Sequence, residues 1–314
     1  MTITRLELEQ IEEVESQEAL VQVGSAREIV RALLRDRTAM IGIVLVSVLV
    51  LGGIFASVVA TRDPNLVDVA ARFHPPSRAH LFGTDHLGRD VFARVLHGAR
   101  LSIGSALVAG LSVALVGLVL GMVAGYFGGL IDTAISRVVD ILLSFPILLL
   151  ALVITGVLGP GLRNIIISLV VASWAQYARI VRGAVLGEKN KAYVEAARAS
   201  GASHRRVLFR HILPNIVAPV IVWTTLDTGV MLLAVSSLSF LGLGVKPPAA
   251  EWGAMLSEGR SYLDHAPQMM FYPGAAIFLT VLGLNLLGDG LRDALDPRTR
   301  RSGRGLLLRR RDLR

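Results

Sequence analysis

Six stretches of this chain carry almost no charge, and their lengths limit the folds open to it. The runs cover residues 38–61, 101–131, 141–162, 164–178, 212–245 and 265–288, and Asp227 is the one ionisable side chain well inside any of them. A bilayer's hydrocarbon core of about 30 Å takes about 20 helical residues, so most of these runs are long enough to cross it. Within lipid only helices and closed barrels satisfy the backbone, and the runs show no strand-like alternation. The expected fold class is therefore all-α and integral to the membrane, with six transmembrane helices. The balance of the sequence agrees, with 18% charged residues against about a quarter in soluble domains. The absence of cysteine excludes disulfides and thiol chemistry.

Charge gives the expected orientation. With both termini cytoplasmic, the inner segments 1–39, 125–140, 179–211 and 289–314 hold 23 of the 32 lysines and arginines. The outer loop 61–100 runs against this bias with six arginines. The first run follows a long charged lead-in and exceeds the core of a signal peptide, which makes it an uncleaved span. The chain divides into a cytoplasmic segment 1–37, a six-helix membrane domain 38–290 and an Arg-rich tail 291–314. Residues 1–24 carry Glu7, Glu9, Glu12, Glu13, Glu15 and Glu18 and read as a solvated tail or a short surface helix. The tail's nine arginines serve as a topology anchor, with attraction to anionic lipid as the alternative. Nothing in this pattern implies nucleic acid.

One polar island interrupts the apolar chain: AYVEAARASGASHRRVLFRHILPN, Ala192–Asn215. Ala192–Ser200 favours a short helix, which Gly201 ends in a left-handed cap. Ser203 can cap a second helix through His204–Leu213, and Pro214 opens the fifth span. Ala196, Ala197 and Ala199 leave little side-chain bulk, so a partner's backbone could approach closely, and Glu195 offers it one charged handle. Connections between helices are usually shorter, and the excess length argues for a docking partner within the cytoplasmic loop 183–213.

Other candidate sites are weaker. Asp227 is expensive in lipid and is expected to line a pathway or to meet a buried partner. His74, His80, His86 and His97 lie in the outer loop with Asp85 and Asp90, but their spacing matches no metal signature, so no metal is expected. The glycines of GMVAG (Gly121–Gly125) and GYFGG (Gly125–Gly129) suit close helix approach. They do not form a phosphate cradle, because no Lys-Ser/Thr follows. Neither HExxH nor a Ser-His-Asp arrangement is present to support hydrolysis.

The string Glu195-Ala196-Ala197, then Gly201, then Leu213-Pro214 resembles the EAA loop of ABC-importer membrane subunits. That pattern expects Ile at position 211, where this chain has His211 followed by Ile212. GTDHLGRD (Gly83–Asp90), GARLS (Gly98–Ser102), GYFGG, LSFLGLGVKPP (Leu238–Pro248) with EWG (Glu251–Gly253), and GDGLRDALDPR (Gly288–Arg298) are together similar to the second, C-type permease of peptide and nickel importers. Members often carry an acid just ahead of LSFLGLG, where this chain has Ala234-Val235. The resemblance implies a type I importer permease fold in a bacterial inner membrane. It implies a related second permease, two ATPase subunits that hold ATP and Mg, an external solute-binding protein, and no cofactor on this chain. It makes Glu195, Ala196, Ala197, Gly201, Leu213 and Pro214 the ATPase-coupling residues. It makes Gly83, Thr84, Asp85, Gly88, Arg89 and Asp90 an external-loop motif that holds the loop in place. Short peptides are the implied cargo, with nickel or another small solute as the competitor. An ion-coupled secondary carrier is a more distant alternative: it would show inverted repeats, and none is visible.

Overall fold

The computed structural model describes residues 26–295; the acidic segment 1–24 and the Arg-rich tail lie outside the described residues. Among the described residues every regular element is helical, and a single antiparallel bridge joins Thr84 to Asp90. Five helices are long and apolar enough to cross a membrane: Arg37–Ile54, Val91–Phe127, Leu162–Lys189, His204–Leu243 and Gln268–Leu295. A sixth crossing requires the pair Gly129–Leu143 and Ile147–Leu158, whose axes meet at 90°. In chain order the helices are α1 (Ala26–Arg35), α2 (Arg37–Ile54), α3 (Ala56–Val59), α4 (Val91–Phe127), α5 (Gly129–Leu143), α6 (Ile147–Leu158), α7 (Leu162–Lys189), α8 (Ala192–Ala199), α9 (His204–Leu243), α10 (Trp252–Gly259) and α11 (Gln268–Leu295).

The bent pair corrects the expectation of one straight third span at 141–162. Pro146 cannot donate a backbone hydrogen bond into α5, and it pushes the residue before it away from helical backbone. α5 accordingly ends at Ser144, whose N–H returns to the Asp140 and Ile141 carbonyls. α6 begins beyond an extended Pro146 (φ −60, ψ 122) and has only 12 residues.

The fifth span is corrected too. His204–Leu213 and the span are one continuous helix, because residues Val207–Ile212 widen into a π turn whose cap N–H, that of Leu213, reaches back to the Leu208 carbonyl. The wide turn lets the chain pass Pro214, which has no N–H to give, without breaking the rod. The second span starts ten residues earlier than its uncharged run, at an Asp90 cap. The fourth runs past the end of its uncharged stretch to Lys189.

Close backbone approach holds the bundle together. α4 lies against α7 along a line of glycines, where a Cβ on Gly121 would sit 2.6 Å from the Ala178 carbonyl oxygen and one on Gly125 would sit 2.9 Å from Val185 Cβ. Without a hydrophobic drive between helices in lipid, such contact supplies the association energy. Gly128 and Gly129, by contrast, face open space at positive φ and form the α4–α5 turn.

The main core runs from Val91 through Val113, Leu169, Leu232 and Leu238 to Trp252. A second cluster (Met122, Val181, Val185, Val194, Val207, Ile212) lies beneath the α8 hairpin. Outward positions keep large apolar side chains such as Leu130 and Val157, as a lipid-facing surface requires. The loops around 60–90, 159–161 and 244–267 gather at one end, where the Gly161 N–H bonds the Leu243 carbonyl at 2.8 Å. The hairpin between α7 and α9 lies at the opposite end.

Candidate functional site

The hairpin's backbone is settled by its own sequence. After α8, the Ala202 N–H bonds the Ala197 carbonyl (3.1 Å) and the Gly201 N–H bonds the Arg198 carbonyl (2.9 Å). Gly201 sits at φ +79. This is the Schellman closure expected of a glycine one place past a helix end. The Ser203 hydroxyl accepts from the Arg206 N–H at the start of α9.

Side-chain placement then separates two faces. Val194 is fully buried in the second core cluster. Glu195, Ala196 and Gly201 are exposed, and Ala197 is half-buried. Leu213 packs against the same cluster and Pro214 is exposed. Ile212 is fully buried while His211 is only half so, because the π turn carries position 212 into the core.

Tyr126 of GYFGG roots the hairpin from below. Its hydroxyl shares a 2.9 Å hydrogen bond with His204 Nδ1, its carbonyl accepts from Lys189 Nζ at 2.7 Å, and the Arg198 guanidinium lies 5.0 Å from its ring centroid. Tyr193 adds a second root. Its hydroxyl donates to Glu188 and accepts from the Asn215 amide, and burial pushes its phenol above its ordinary range.

At the other end the external-loop motif forms a clasp. Asp85, Arg89 and Arg94 are almost wholly buried. Arg89 Nε bonds Asp85 Oδ2 and its terminal nitrogen bonds Glu258 Oε2, both at 2.6 Å; Arg94 meets the same Glu258 oxygen at 3.3 Å. Two cations thus answer two carboxylates. Gly83 and Gly88 both take positive φ, and a Cβ on Gly88 would run into the Asp68 carbonyl. Thr84 donates to the Ala71 carbonyl and accepts from the His74 N–H. Asp90 caps α4 through the Ala93 N–H and holds His80 Nδ1 at 2.8 Å.

EWG and GARLS close the clasp. The fully buried Glu251 caps α10 through the Gly253 and Ala254 N–H groups, at 2.9 and 2.8 Å, and burial pushes its carboxyl above the usual range. The Ser102 hydroxyl accepts from the Trp252 N–H at 2.9 Å. Arg100 donates to the Gly53 and Ile54 carbonyls and so closes the C-terminus of α2. Two of the loop's six arginines, Arg89 and Arg94, are therefore buried against carboxylates.

The four histidines do not converge. His97 turns back on the Ala93 carbonyl, and His86 stacks on Tyr262 with its Nδ1 buried and unpartnered. Asp85, His86 and Glu258 bring potential ligand atoms within 4.8 Å of one another, but arginine already holds both carboxylates.

Between the two ends lies a cavity of about 250 Å³. Asp227, near the middle of α9, lines it together with Ser173, Gln176, Tyr177 and Ser237, and the remaining wall is aliphatic or Met231. The Tyr177 hydroxyl donates to Asp227 Oδ2 at 3.1 Å.

Sequence reasoning missed Arg94, Glu258, Tyr126 and Tyr177. All four act across long sequence separations, and only the presence of Tyr126 inside a quoted motif could have singled one out.

Residues 117–301 match the family described as binding-protein-dependent transport system inner membrane component, and residues 25–76 match the N-terminal TM domain of oligopeptide transport permease C. The chain is 41% identical over 276 residues to the dipeptide transport system permease protein of Alkalihalophilus pseudofirmus, covering 88% of this chain and 91% of the relative. It is 45% identical over 235 residues to the nickel transport system permease protein of Escherichia coli K12, covering 75% and 85%. It is 42% identical over 273 residues to the glutathione transport system permease protein of Pectobacterium atrosepticum, covering 87% and 91%.

Proposed function

This chain belongs to the inner membrane components of binding-protein-dependent transport systems, among the C-type permeases of peptide and nickel importers, and we propose that it forms half of an importer's pathway for short peptides. It is a multi-pass membrane protein and a transport subunit. In this reading both termini and the α8 hairpin face the cytoplasm. The hairpin seats in a cleft of an ATPase subunit, one of two that carry ATP and Mg, and a related permease supplies the other half of the pathway. The clasp end faces an external solute-binding protein.

The observation that carries the reading is the division of α8 into two faces. Glu195 and Ala196 stand outward, uncovered by the other described residues, while Val194 is sunk into the cluster shared by α4, α7 and α9. A partner that moves the outer face must therefore move the three helices beneath it. ATP binding closes the ATPase pair, draws the hairpins together and favours the outward-open arrangement; hydrolysis releases it. The ligand shifts the equilibrium only by its differential affinity for the two states.

Peptide cargo is favoured by the dipeptide and glutathione permeases among the relatives. Nickel is the second reading, favoured by the relative at 45% identity. Co-purification tests the coupling role. Wild-type chain retains its ATPase, and Glu195→Lys or Gly201→Val releases it while the permease stays folded. Uptake that persists in the absence of any ATPase overturns the reading.

A further inference from the structure

We propose that the cavity around Asp227 is a cation-recognition point on the translocation pathway, where the carboxylate and the Tyr177 and Ser173 hydroxyls receive an ammonium group or a divalent cation of the passing solute. The proposal rests on the importer reading and names the chemistry that its pathway selects.

Charge balance is the first argument. Three carboxylates nearer the helix ends have cationic partners: Asp132 with Arg182 at 2.5 Å, Asp140 with Arg179 at 2.8 Å, and Glu188 with Lys191 at 2.9 Å. Asp227 sits at mid-helix, and among the described residues its side-chain hydrogen-bond partner is a neutral phenol. A carboxylate at such depth is costly in lipid unless a pathway or a partner accounts for it. In an apolar cavity of low effective dielectric its attraction for a cation is several times stronger than in water.

The second argument is independent of charge. Ser173 lines the same cavity, is 4% exposed, and its hydroxyl has no hydrogen-bond partner. A buried hydroxyl without a partner is destabilising, and a solute oxygen or a cation's hydration water would satisfy it. Tyr177 holds Asp227 from one side only, which leaves the second carboxylate oxygen for a ligand. The volume of about 250 Å³ holds roughly eight waters at about 30 Å³ each. That is room for the amino end of a short peptide or for a hydrated metal ion. Aliphatic walls and a single negative charge disfavour an anion in the same place.

The chain's lack of cysteine allows a direct test. In the assembled importer in membranes, the thiol introduced by Ala234→Cys at the cavity wall is reacted with cationic 2-aminoethyl or anionic 2-sulfonatoethyl methanethiosulfonate, and modification of this chain is followed by mass. A cleft of one sign raises counter-ion concentration by about tenfold or more. The cation-to-anion rate ratio is therefore expected to exceed that of a free thiol by about tenfold. Asp227→Asn should return the ratio to the free-thiol value, and Asp227→Glu should keep it.

A ratio equal to the free thiol's with Asp227 in place, or no reaction with either reagent, overturns the proposal. Excess tri-alanine and excess nickel chloride then distinguish the sources: protection by the first assigns an ammonium, protection by the second a divalent cation, and protection by neither overturns the assignment of cargo. None of these readings depends on ATP hydrolysis or on Glu195, so failure of the coupling experiment and failure of this one are separate results.

Discussion

The two ends of the bundle solve opposite problems with similar residues. At the clasp, arginine and carboxylate are buried together, with Arg89, Arg94 and Asp85 all within a few per cent of full burial, and each charge is answered inside the chain. At the hairpin the charged side chains stay outside: Glu195, Arg205 and Arg206 are exposed, and apolar Val194 and Ile212 do the anchoring. Burial of an ion pair fixes one geometry, because removing either partner strands the other. An exposed charge on an apolar root leaves the geometry to be completed from outside. One end holds its shape alone, and in the proposed reading a partner completes the other.

The sharpest way to break this contrast is to remove a clasp cation. Arg89→Ala leaves Asp85 and Glu258 short of charge, and about 3–5 kcal/mol should be lost, seen as a fall in the unfolding midpoint of the purified chain. A fall as small as that of a surface mutant would mean that the clasp is not a fixed unit. Next comes the shaft between the ends. Gly121→Val drives a side chain into the Ala178 carbonyl and should cost about 1–3 kcal/mol, by the same measurement, with uptake reduced because α4 and α7 can no longer close.

The hairpin should respond in the opposite sense. Glu195→Lys should change stability by less than about 0.5 kcal/mol, yet abolish stimulation of ATP hydrolysis when the permease is mixed with its ATPase. Stimulation at the wild-type level would erase the difference between the two ends. The smallest effect expected is a pH slope at the clasp. Burial lowers the His86 pKa, while Asp85 and Glu258 raise it and Arg89 and Arg94 lower it by smaller amounts. The unfolded chain therefore takes up a proton that the folded chain resists. Stability is full above about pH 6.5 and declines as pH falls through that value toward the depressed folded pKa. His86→Phe keeps the stack on Tyr262 and should flatten the unfolding midpoint between about pH 7 and pH 5.5.

What could be read in the sequence was local. The hairpin's caps at Gly201 and Ser203, and the helical stretch between Ala192 and Ala199, follow from residues a few places apart, and the structure matches them. The uncharged runs located the helices, but hydropathy carries no direction. The 90° break at Pro146 and the join of His204 to the fifth span were both invisible to it. The clasp shows the same boundary from the other side. Asp85 and Arg89 stand four residues apart and belong to one visible motif. Their partner Glu258 arrives from 169 residues away, on a short helix whose sequence shows no periodicity that would announce it. Tyr177 and Asp227 likewise meet only after α7 and α9 have packed.

The continuity of α9 sets a scale for motion. It is one rod of 40 residues from the hairpin to Gly242, where φ of +86 interrupts the helix. At 1.5 Å per residue, His204 lies about 57 Å and Asp227 about 22 Å from that break. Pro219 and the π turn at Val207–Ile212 lie along the longer arm; turned about Gly242 as one piece, the helix would reduce displacement in the ratio of those arms, a swing of about 5 Å at the hairpin becoming about 2 Å at the cavity wall. Two ångströms is enough to exchange a hydrogen-bond partner and too little to unpack a core. The gear ratio is written into the position of one aspartate along one helix.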